Sequence, residues 1–134
     1  MWRRKARRSE EMLKLLLDEH VSPAVGEGLR IRRKGLVVRW MLEWEKGRFL
    51  GVEDSVWLAA AQVQGLTLLT YDRRTIPPIL KAWAEEGRAH GGVIFVDEKT
   101  IFRADVGGLI RAVLSLWDAD GCMDWTNRVR YLRR

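Results

Sequence analysis

Four short apolar runs divide the chain, and segments with helical spacing lie between them. The runs consist mostly of leucine, isoleucine and valine, and they occupy residues 12–17, 36–40, 66–70 and 92–96. Continuous apolar runs of this length are typical of strands that are buried on both faces of a parallel sheet. The looser alternation over residues 125–131 predicts a fifth strand at an edge of the sheet.

Start and stop signals place helices between the predicted strands. Ser22 followed by Pro23 combines an N-cap with a first-turn proline, and the segment ends before Gly35, which predicts a helix over residues 23–34. Similar signals predict three further helices, which begin at Asp54 or Ser55, after a Thr75 cap and near Val106, and end near Gly65, Gly87 and Trp117. Residues 41–53 have no clear period and predict a loop with at most a short helix.

Strands that alternate with helices predict an α/β fold, a three-layer α/β/α sandwich around a mainly parallel, doubly wound sheet. Right-handed crossovers are expected between the parallel strands. We expect a single domain over residues 12–134, after a basic N-terminal tail at residues 1–11. In such sheets ligands bind beyond the carboxyl ends of the strands, where the strand order reverses. Residues directly after the strands are therefore the first candidates for a site.

Composition favours a reducing compartment. With 134 residues, 47% of them hydrophobic, the chain can bury a core without disulfides. The single cysteine, Cys122, cannot form an internal disulfide, and the sequence contains no zinc-type cluster of cysteine and histidine. No apolar run approaches the roughly 18 residues that cross a bilayer, and no signal-peptide core follows the basic start. These features predict a cytoplasmic protein that is neither exported nor embedded in a membrane.

The net charge of +6 is concentrated at the two ends of the chain. The basic residues near the ends are Arg3, Arg4, Lys5, Arg7 and Arg8, and then Arg128, Arg130, Arg133 and Arg134. These nine positive charges exceed the net charge of +6, so the region between the two ends carries a slight excess of acidic residues. Basic ends are suited to contact with nucleic-acid phosphates, and a solubilising tail is the alternative interpretation.

Three aspartates carry the candidate chemistry. Asp18 follows the first predicted strand and Asp72 follows the third, so both should emerge at the same edge of the sheet. Asp54 begins a predicted helix, where it is a candidate third member of the group or an ordinary cap. Converging carboxylates are suited to Mg²⁺ or Mn²⁺, which prefer oxygen ligands and can activate water for phosphodiester hydrolysis.

Four sequence blocks resemble the successive motifs of the PIN-like domains, the PilT N-terminus-like nucleases that include families beginning with LLDEH. The blocks are LLLDEHVSP at residues 15–23, DSVWLAA at 54–60, LLTYDR at 68–73 and GVIFV at 92–96. The resemblance spans about residues 12–97. It implies a three-layer sandwich, bound Mg²⁺ or Mn²⁺, and cleavage of single-stranded RNA, often by the toxin of a toxin–antitoxin pair. It also implies an antitoxin as protein partner and a homodimer.

The resemblance assigns roles to individual residues. Asp18, Asp54 and Asp72 match the acids of the family, as catalytic residues and metal ligands, and Asp97 after the fourth strand is the candidate fourth ligand. Arg73 and Arg74 stand where many members have another carboxylate, and we expect them to contact the phosphate. Glu19 and Glu53 are secondary candidates that are more typical of solvated neighbours.

Histidine and tryptophan receive other interpretations. His20 and His90 lack a third partner for a catalytic triad and are expected to be surface or hydrogen-bonding residues. Trp57, Trp83 and Trp117 lie at helical core spacing and are expected to pack inside. Trp40 and Trp44 flank the unpatterned loop, and we expect an exposed pair there that forms an interface.

Two functions compete with the nuclease. One is a catalytically inactive PIN-like module that binds RNA or a protein partner through its basic ends. The other is a phospho-acceptor receiver domain, because Asp18 and Glu19 form an acidic pair after a first strand. The receiver is disfavoured, since no phospho-accepting aspartate follows a central strand and no lysine follows the later one.

Overall fold

The computed structural model describes residues 12–134, so the predicted basic tail at residues 1–11 lies outside the described part of the chain. The strands are β1 (Lys14–Leu17), β2 (Val37–Trp40), β3 (Thr67–Thr70), β4 (Val93–Val96) and β5 (Val129–Leu132). The helices are α1 (Pro23–Arg32), α2 (Asp54–Val63), α3 (Ile76–Glu85) and α4 (Val106–Asp120). Each predicted strand and helix is present, with ends that differ by a few residues.

The five strands form one parallel sheet in the order β2-β1-β3-β4-β5. In the central pairing, Leu16 of β1 lies opposite Leu68 of β3. The chain moves from β1 to β2 in one direction and then continues from β3 in the other, so the strand order reverses between β1 and β3. The doubly wound sheet is therefore confirmed, and its switch point lies between the strands that precede Asp18 and Asp72.

Helices cover both faces of the sheet. On one face, α1 and α4 pack over a core that includes Leu15, Leu29 and Val113. On the other face, α2 and α3 pack over a second core that includes Leu16 and Trp83. Alternate residues of β1 enter different cores because successive side chains of a strand point to opposite faces. This arrangement explains why the central strands are mostly apolar, and it confirms the three-layer sandwich.

The crossovers on the α1 and α4 face do not share one hand. The connection β1-α1-β2 and the connection β4-α4-β5 pass over the same face but run in opposite directions across the sheet. One of the two therefore departs from the right-handed rule that we expected for all of them. The α4 residues Leu109, Ile110 and Val113 belong to the same core as Leu69 and Ile94.

The helix caps are partly as expected. The Ser22 hydroxyl accepts a hydrogen bond from the Ala24 amide, which confirms the predicted N-cap of α1. At α2 the N-cap position is Glu53, without a side-chain bond, and Asp54 is the first helical residue, so the expected cap at Asp54 or Ser55 is wrong. Thr75 occupies the N-cap position of α3, but its hydroxyl donates to the Asp72 carboxylate instead of capping the helix.

The segment between β2 and α2 contains a left-handed turn. Residues Trp44–Gly47 are assigned to a 3₁₀ turn, but Glu45, Lys46 and Gly47 have φ angles of 52°, 59° and 78°. Trp44 is 3% exposed and stacks on Phe49 with ring centroids 4.7 Å apart. The expected exposed pair of Trp40 and Trp44 is therefore wrong, because the turn folds the Trp44 ring inward onto the α2 face of the sheet.

The remaining tryptophans and histidines match their predicted roles more closely. Trp57 and Trp83 are buried, and the half-buried Trp117 donates to the Leu13 carbonyl at 3.2 Å. His90 is buried and its Nδ1 accepts a hydrogen bond from the Gly92 amide, whereas His20 is exposed.

Among residues 12–134, no helix combines the length and the apolar character that a membrane crossing requires.

Candidate functional site

Asp18 lies at the carboxyl end of β1 and is 8% exposed. Its amide donates to the Leu69 carbonyl of the neighbouring strand, which extends the sheet ladder by one residue. One carboxylate oxygen accepts from the His20 amide at 2.7 Å, and the other accepts from the Thr70 hydroxyl. A buried carboxylate needs hydrogen-bond donors, and here the next turn and the adjacent strand supply them.

Asp72 lies two residues beyond the end of β3 and organises the turn into α3. Its Oδ1 accepts from the amides of Arg74 and Thr75, both at 2.9 Å, and its Oδ2 accepts from the Thr75 hydroxyl. Burial alone would raise the pKa of the Asp72 carboxyl, but the bonds from Thr75 and Arg74 and the Arg74 charge lower it below its ordinary value. These bonds therefore favour the charged form of the Asp72 carboxyl.

Asp54 is brought to the site by the first turn of α2. Its Oδ1 accepts from the Trp57 indole at 3.1 Å, one helical turn further along. Its Oδ2 lies 3.4 Å from the Thr75 hydroxyl, whose single proton is taken by the closer Asp72. The amino end of a helix carries partial positive charge, so a carboxylate is stabilised at this position.

The three aspartates line one cavity of about 320 Å³ at the switch point of the sheet. Its remaining wall combines polar groups with apolar side chains, namely Glu19, His20, Met41, Phe49, Gly51, Val52, Trp57, Thr70 and Ile76. The apolar part excludes water from one side, which strengthens electrostatic interactions with any bound ion. Asp18 and Asp72, which are separated by 54 positions in sequence, therefore share one opening, as we predicted from their places after two parallel strands.

The donor chemistry fits a hard divalent cation, because every acidic group at the cavity offers oxygen and no thiolate is present. The side chains do not form a finished metal cage: within residues 12–134 no three His, Cys, Asp or Glu side chains are close enough together to hold an ion. Threonine hydroxyls lie among the carboxylates instead. Mg²⁺ and Mn²⁺ retain several waters, so a few carboxylates around a cavity are a suitable site.

The other acidic candidates are not all brought to this cavity. Glu19 lines it, as an exposed residue, and Glu53 precedes α2 without lining it. Asp97 is engaged elsewhere, since its carboxylate accepts from the Lys99 amide and pairs with Arg133 at 3.6 Å. The structure therefore does not gather Asp97, the candidate fourth ligand, with Asp18, Asp54 and Asp72.

Arg73 and Arg74 line a second opening, which shares Asp18, His20 and Asp72 with the first. Among the described residues, no carboxylate lies within ion-pair distance of either guanidinium. Both side chains are exposed beside the acidic cavity, where a phosphate group can reach them.

Two threonines that the sequence patterns did not predict hold the acidic groups in place. Thr70 ends β3, donates to Asp18 and accepts from the Asp72 amide at 2.9 Å. Thr75 donates to Asp72 and contacts Asp54. A hydroxyl residue at the last position of β3, directly before the turn that carries Asp72, was the available signal for Thr70, whereas Thr75 carried the signal of an ordinary cap.

The parallel doubly wound sheet, with carboxylates gathered at its switch point, defines an α/β protein whose site is built at the strand ends. A family model described as PIN like domain matches residues 13–96, from β1 to the end of β4. The match covers more than half of the chain, and the protein therefore belongs to the PIN-like domain family. A search of curated proteins and a search of solved structures returned no match.

Proposed function

We propose that the protein is a ribonuclease that depends on Mg²⁺ or Mn²⁺ and hydrolyses phosphodiester bonds in single-stranded RNA. The observation that supports it most is the common cavity of Asp18, Asp54 and Asp72 at the switch point. Membership of the PIN-like family agrees with the proposal. When bound, a divalent ion supplies the charge that makes a water nucleophilic and that offsets charge on the phosphate and the leaving oxygen.

The chain's own residues prepare this site. Asp18, Asp54 and Asp72 would hold the ion, in part through the waters that it retains, and the bonds from Thr75 and Arg74 lower the pKa of the Asp72 carboxyl. Thr70 restrains Asp18, and Thr75 restrains Asp72, which reduces the motion that ion binding would otherwise have to remove. Arg73 and Arg74 balance the negative charge of the phosphate beside the carboxylates.

Cleavage of a fluorescent single-stranded RNA in Mn²⁺ tests the proposal, with EDTA as the metal-free control. Asp72→Asn should lower the rate on the order of a hundredfold, because it removes a charged ligand while keeping the shape. Asp118→Asn is the matched control, since Asp118 is an exposed aspartate that pairs with Arg33 away from the cavity. Asp97→Asn should behave like this control, because Asp97 is engaged with Arg133.

Two results would contradict the nuclease. One is cleavage that Asp72→Asn leaves unchanged, and the other is cleavage that persists in EDTA. Thermal unfolding of each variant establishes that the fold survives, and Mn²⁺ should raise the unfolding temperature of the wild type more than that of Asp72→Asn.

A catalytically inactive binding module is the second candidate. It is favoured by the same spacing of the carboxylates, because no three acidic or histidine side chains in residues 12–134 form a finished ion site. This candidate predicts salt-dependent retention of RNA, with no Mn²⁺-dependent rise in unfolding temperature and no cleavage.

The cellular setting that we propose is the toxin of a toxin–antitoxin pair. Induced expression of the wild-type chain should then arrest growth, and Asp72→Asn should not. Equal growth of both strains at equal protein levels would exclude the toxin while leaving the nuclease to the cleavage assay.

A further inference from the structure

A basic trough adjoins the acidic cavity. It has a volume of about 460 Å³ and is lined by Asp18, His20, Tyr71, Asp72, Arg73, Arg74, Thr75 and Arg103. Its two aspartates lie on the wall that it shares with the acidic cavity, and its three arginines are the basic residues of the lining. A ligand that fills both openings therefore needs negative charge in the trough, and a cation must offset its repulsion from the carboxylates in the acidic cavity.

Two of the trough arginines lie over aromatic rings. The Arg103 guanidinium lies 5.3 Å from the ring centroid of Tyr71, and the Arg73 guanidinium lies 5.0 Å from that of Tyr131. The Tyr71 hydroxyl donates to the Phe102 carbonyl at 3.3 Å, which ties the loop that carries Arg103 to the end of β3. Stacking of this kind restricts a long side chain before any ligand arrives, so less conformational entropy is lost on binding.

Arg103 has an exchangeable partner. Its Nε lies 3.0 Å from a Glu98 oxygen, and both side chains are about half exposed, at 48% and 54%. An exposed ion pair contributes little to stability, so a phosphate can replace the Glu98 carboxylate at small cost. A phosphate that binds Arg103 would therefore compete with the Glu98 carboxylate.

We propose that this trough binds a phosphate of single-stranded RNA next to the one that is cleaved, and that Arg103 is the residue that determines affinity there. The inference rests on the proposed nuclease function, because that function fixes which phosphate of the RNA lies at the acidic cavity. It assigns a role to a residue that lies beyond the part of the chain matched by the family model. A minimal substrate must then carry a phosphate on the trough side of the cleaved bond.

Equilibrium binding of a fluorescent single-stranded RNA in EDTA tests the trough without requiring catalysis. Arg103→Gln should weaken binding on the order of tenfold and reduce the salt dependence by about one phosphate contact. Arg111→Gln removes the same charge from the exposed side of α4, outside the trough, and should have a much smaller effect. Arg103→Lys keeps the charge but not the planar fork, and should lie between the wild type and Arg103→Gln.

Glu98→Gln provides a second test with the opposite sign. It releases Arg103, so RNA binding should tighten several-fold, and the gain should disappear in the double variant with Arg103→Gln. Glu86→Gln is the matched control, because Glu86 pairs with Arg88 at 3.9 Å outside the trough and its loss changes the net charge equally.

The binding experiments on the trough can fail or succeed independently of the cleavage assay for the nuclease. Equal binding by the wild type, Arg103→Gln and Arg111→Gln would overturn the trough, even if Mn²⁺-dependent cleavage were present. An equal gain in Glu98→Gln and Glu86→Gln would overturn it as well, because a general charge effect would then be sufficient. Binding that Arg103→Gln weakens, in a protein that never cleaves RNA, would support the trough and refute the nuclease.

Discussion

At the scale of single residues, the site depends on hydroxyl groups that lie among carboxylates. Thr70 and Thr75 satisfy buried or half-buried oxygens of Asp18 and Asp72, which lets like charges share one cavity. Aspartates after two parallel strands could be predicted from sequence, because strand ends are readable from apolar runs. The threonine contacts could not, since each joins residues whose distance apart depends on the turn between them.

Thr75→Val should test this support directly. Valine keeps the shape but removes the donor, so the pKa of Asp72 should rise toward its ordinary value of 3.8. A lowered folded-state pKa stabilises the protein above the ordinary value, and this contribution is lost as the pH falls below it. The variant should therefore lose about 1 kcal/mol of unfolding free energy at neutral pH and show a smaller further loss at acid pH. Thr75→Ser should restore wild-type denaturation curves, and equal curves for all three proteins would contradict the role.

His90 should give the protein a second pH dependence. Burial lowers the pKa of His90 below 6.5 in the folded protein. As the pH falls, the unfolded chain therefore binds a proton at a higher pH than the folded protein does. Stability should be complete above that value and fall as the pH decreases below it, since a proton on Nδ1 would also break the bond from Gly92. Urea unfolding between about pH 7.5 and 5.5 should show this slope in the wild type and in His20→Asn but not in His90→Asn. A slope that persists in His90→Asn would assign it to other groups.

At the scale of secondary-structure elements, α1 and α4 meet where α1 has no side chain. A Cβ at Gly28 would overlap the terminal Cδ1 methyl of Ile110 in α4, whereas one at Gly26 would meet Leu17 at an ordinary 3.4 Å. The two glycines lie in the same helix, so they form a matched pair.

Gly28→Ala should therefore be less stable than Gly26→Ala. Alanine gains helix propensity at both positions, by about 1 kcal/mol, but at Gly28 the overlap with Ile110 should offset or exceed that gain. Ile110→Val removes the terminal methyl group, so it should destabilise the wild type but improve Gly28→Ala. Chemical denaturation of the four variants measures the difference, and equal gains at both glycines would show that the helices are free to separate.

At the scale of the whole molecule, opposite charges are arranged around one sheet edge. The acidic cavity and the basic trough share Asp18, His20 and Asp72, while the basic tail at residues 1–11 lies outside the described chain. This arrangement is suited to a polyanion that reaches a cation site, because the arginines offset the repulsion between phosphate and carboxylate.

Replacing the five basic residues of the tail with glutamine should separate the contribution of the tail from that of the trough. The residues are Arg3, Arg4, Lys5, Arg7 and Arg8. If they contact phosphates, the slope of log affinity against log salt should decrease by up to about 3.5, with little change in the unfolding temperature. Binding titrations at several salt concentrations measure the slope. An unchanged slope would identify the tail as a solubilising segment.

The sequence by itself determined the strands, the helices, their order and the acidic residues at the strand ends, because hydrophobic period and chain order are local properties. Tertiary structure alone decided which candidates meet: Asp97 turns to Arg133, Trp44 folds inward, and Arg103 reaches the trough from the loop after β4. The physical reason is that these outcomes depend on turn geometry and on packing between distant segments. Such contacts form only after the helices have packed on both faces of the sheet and the connecting turns have taken their shape.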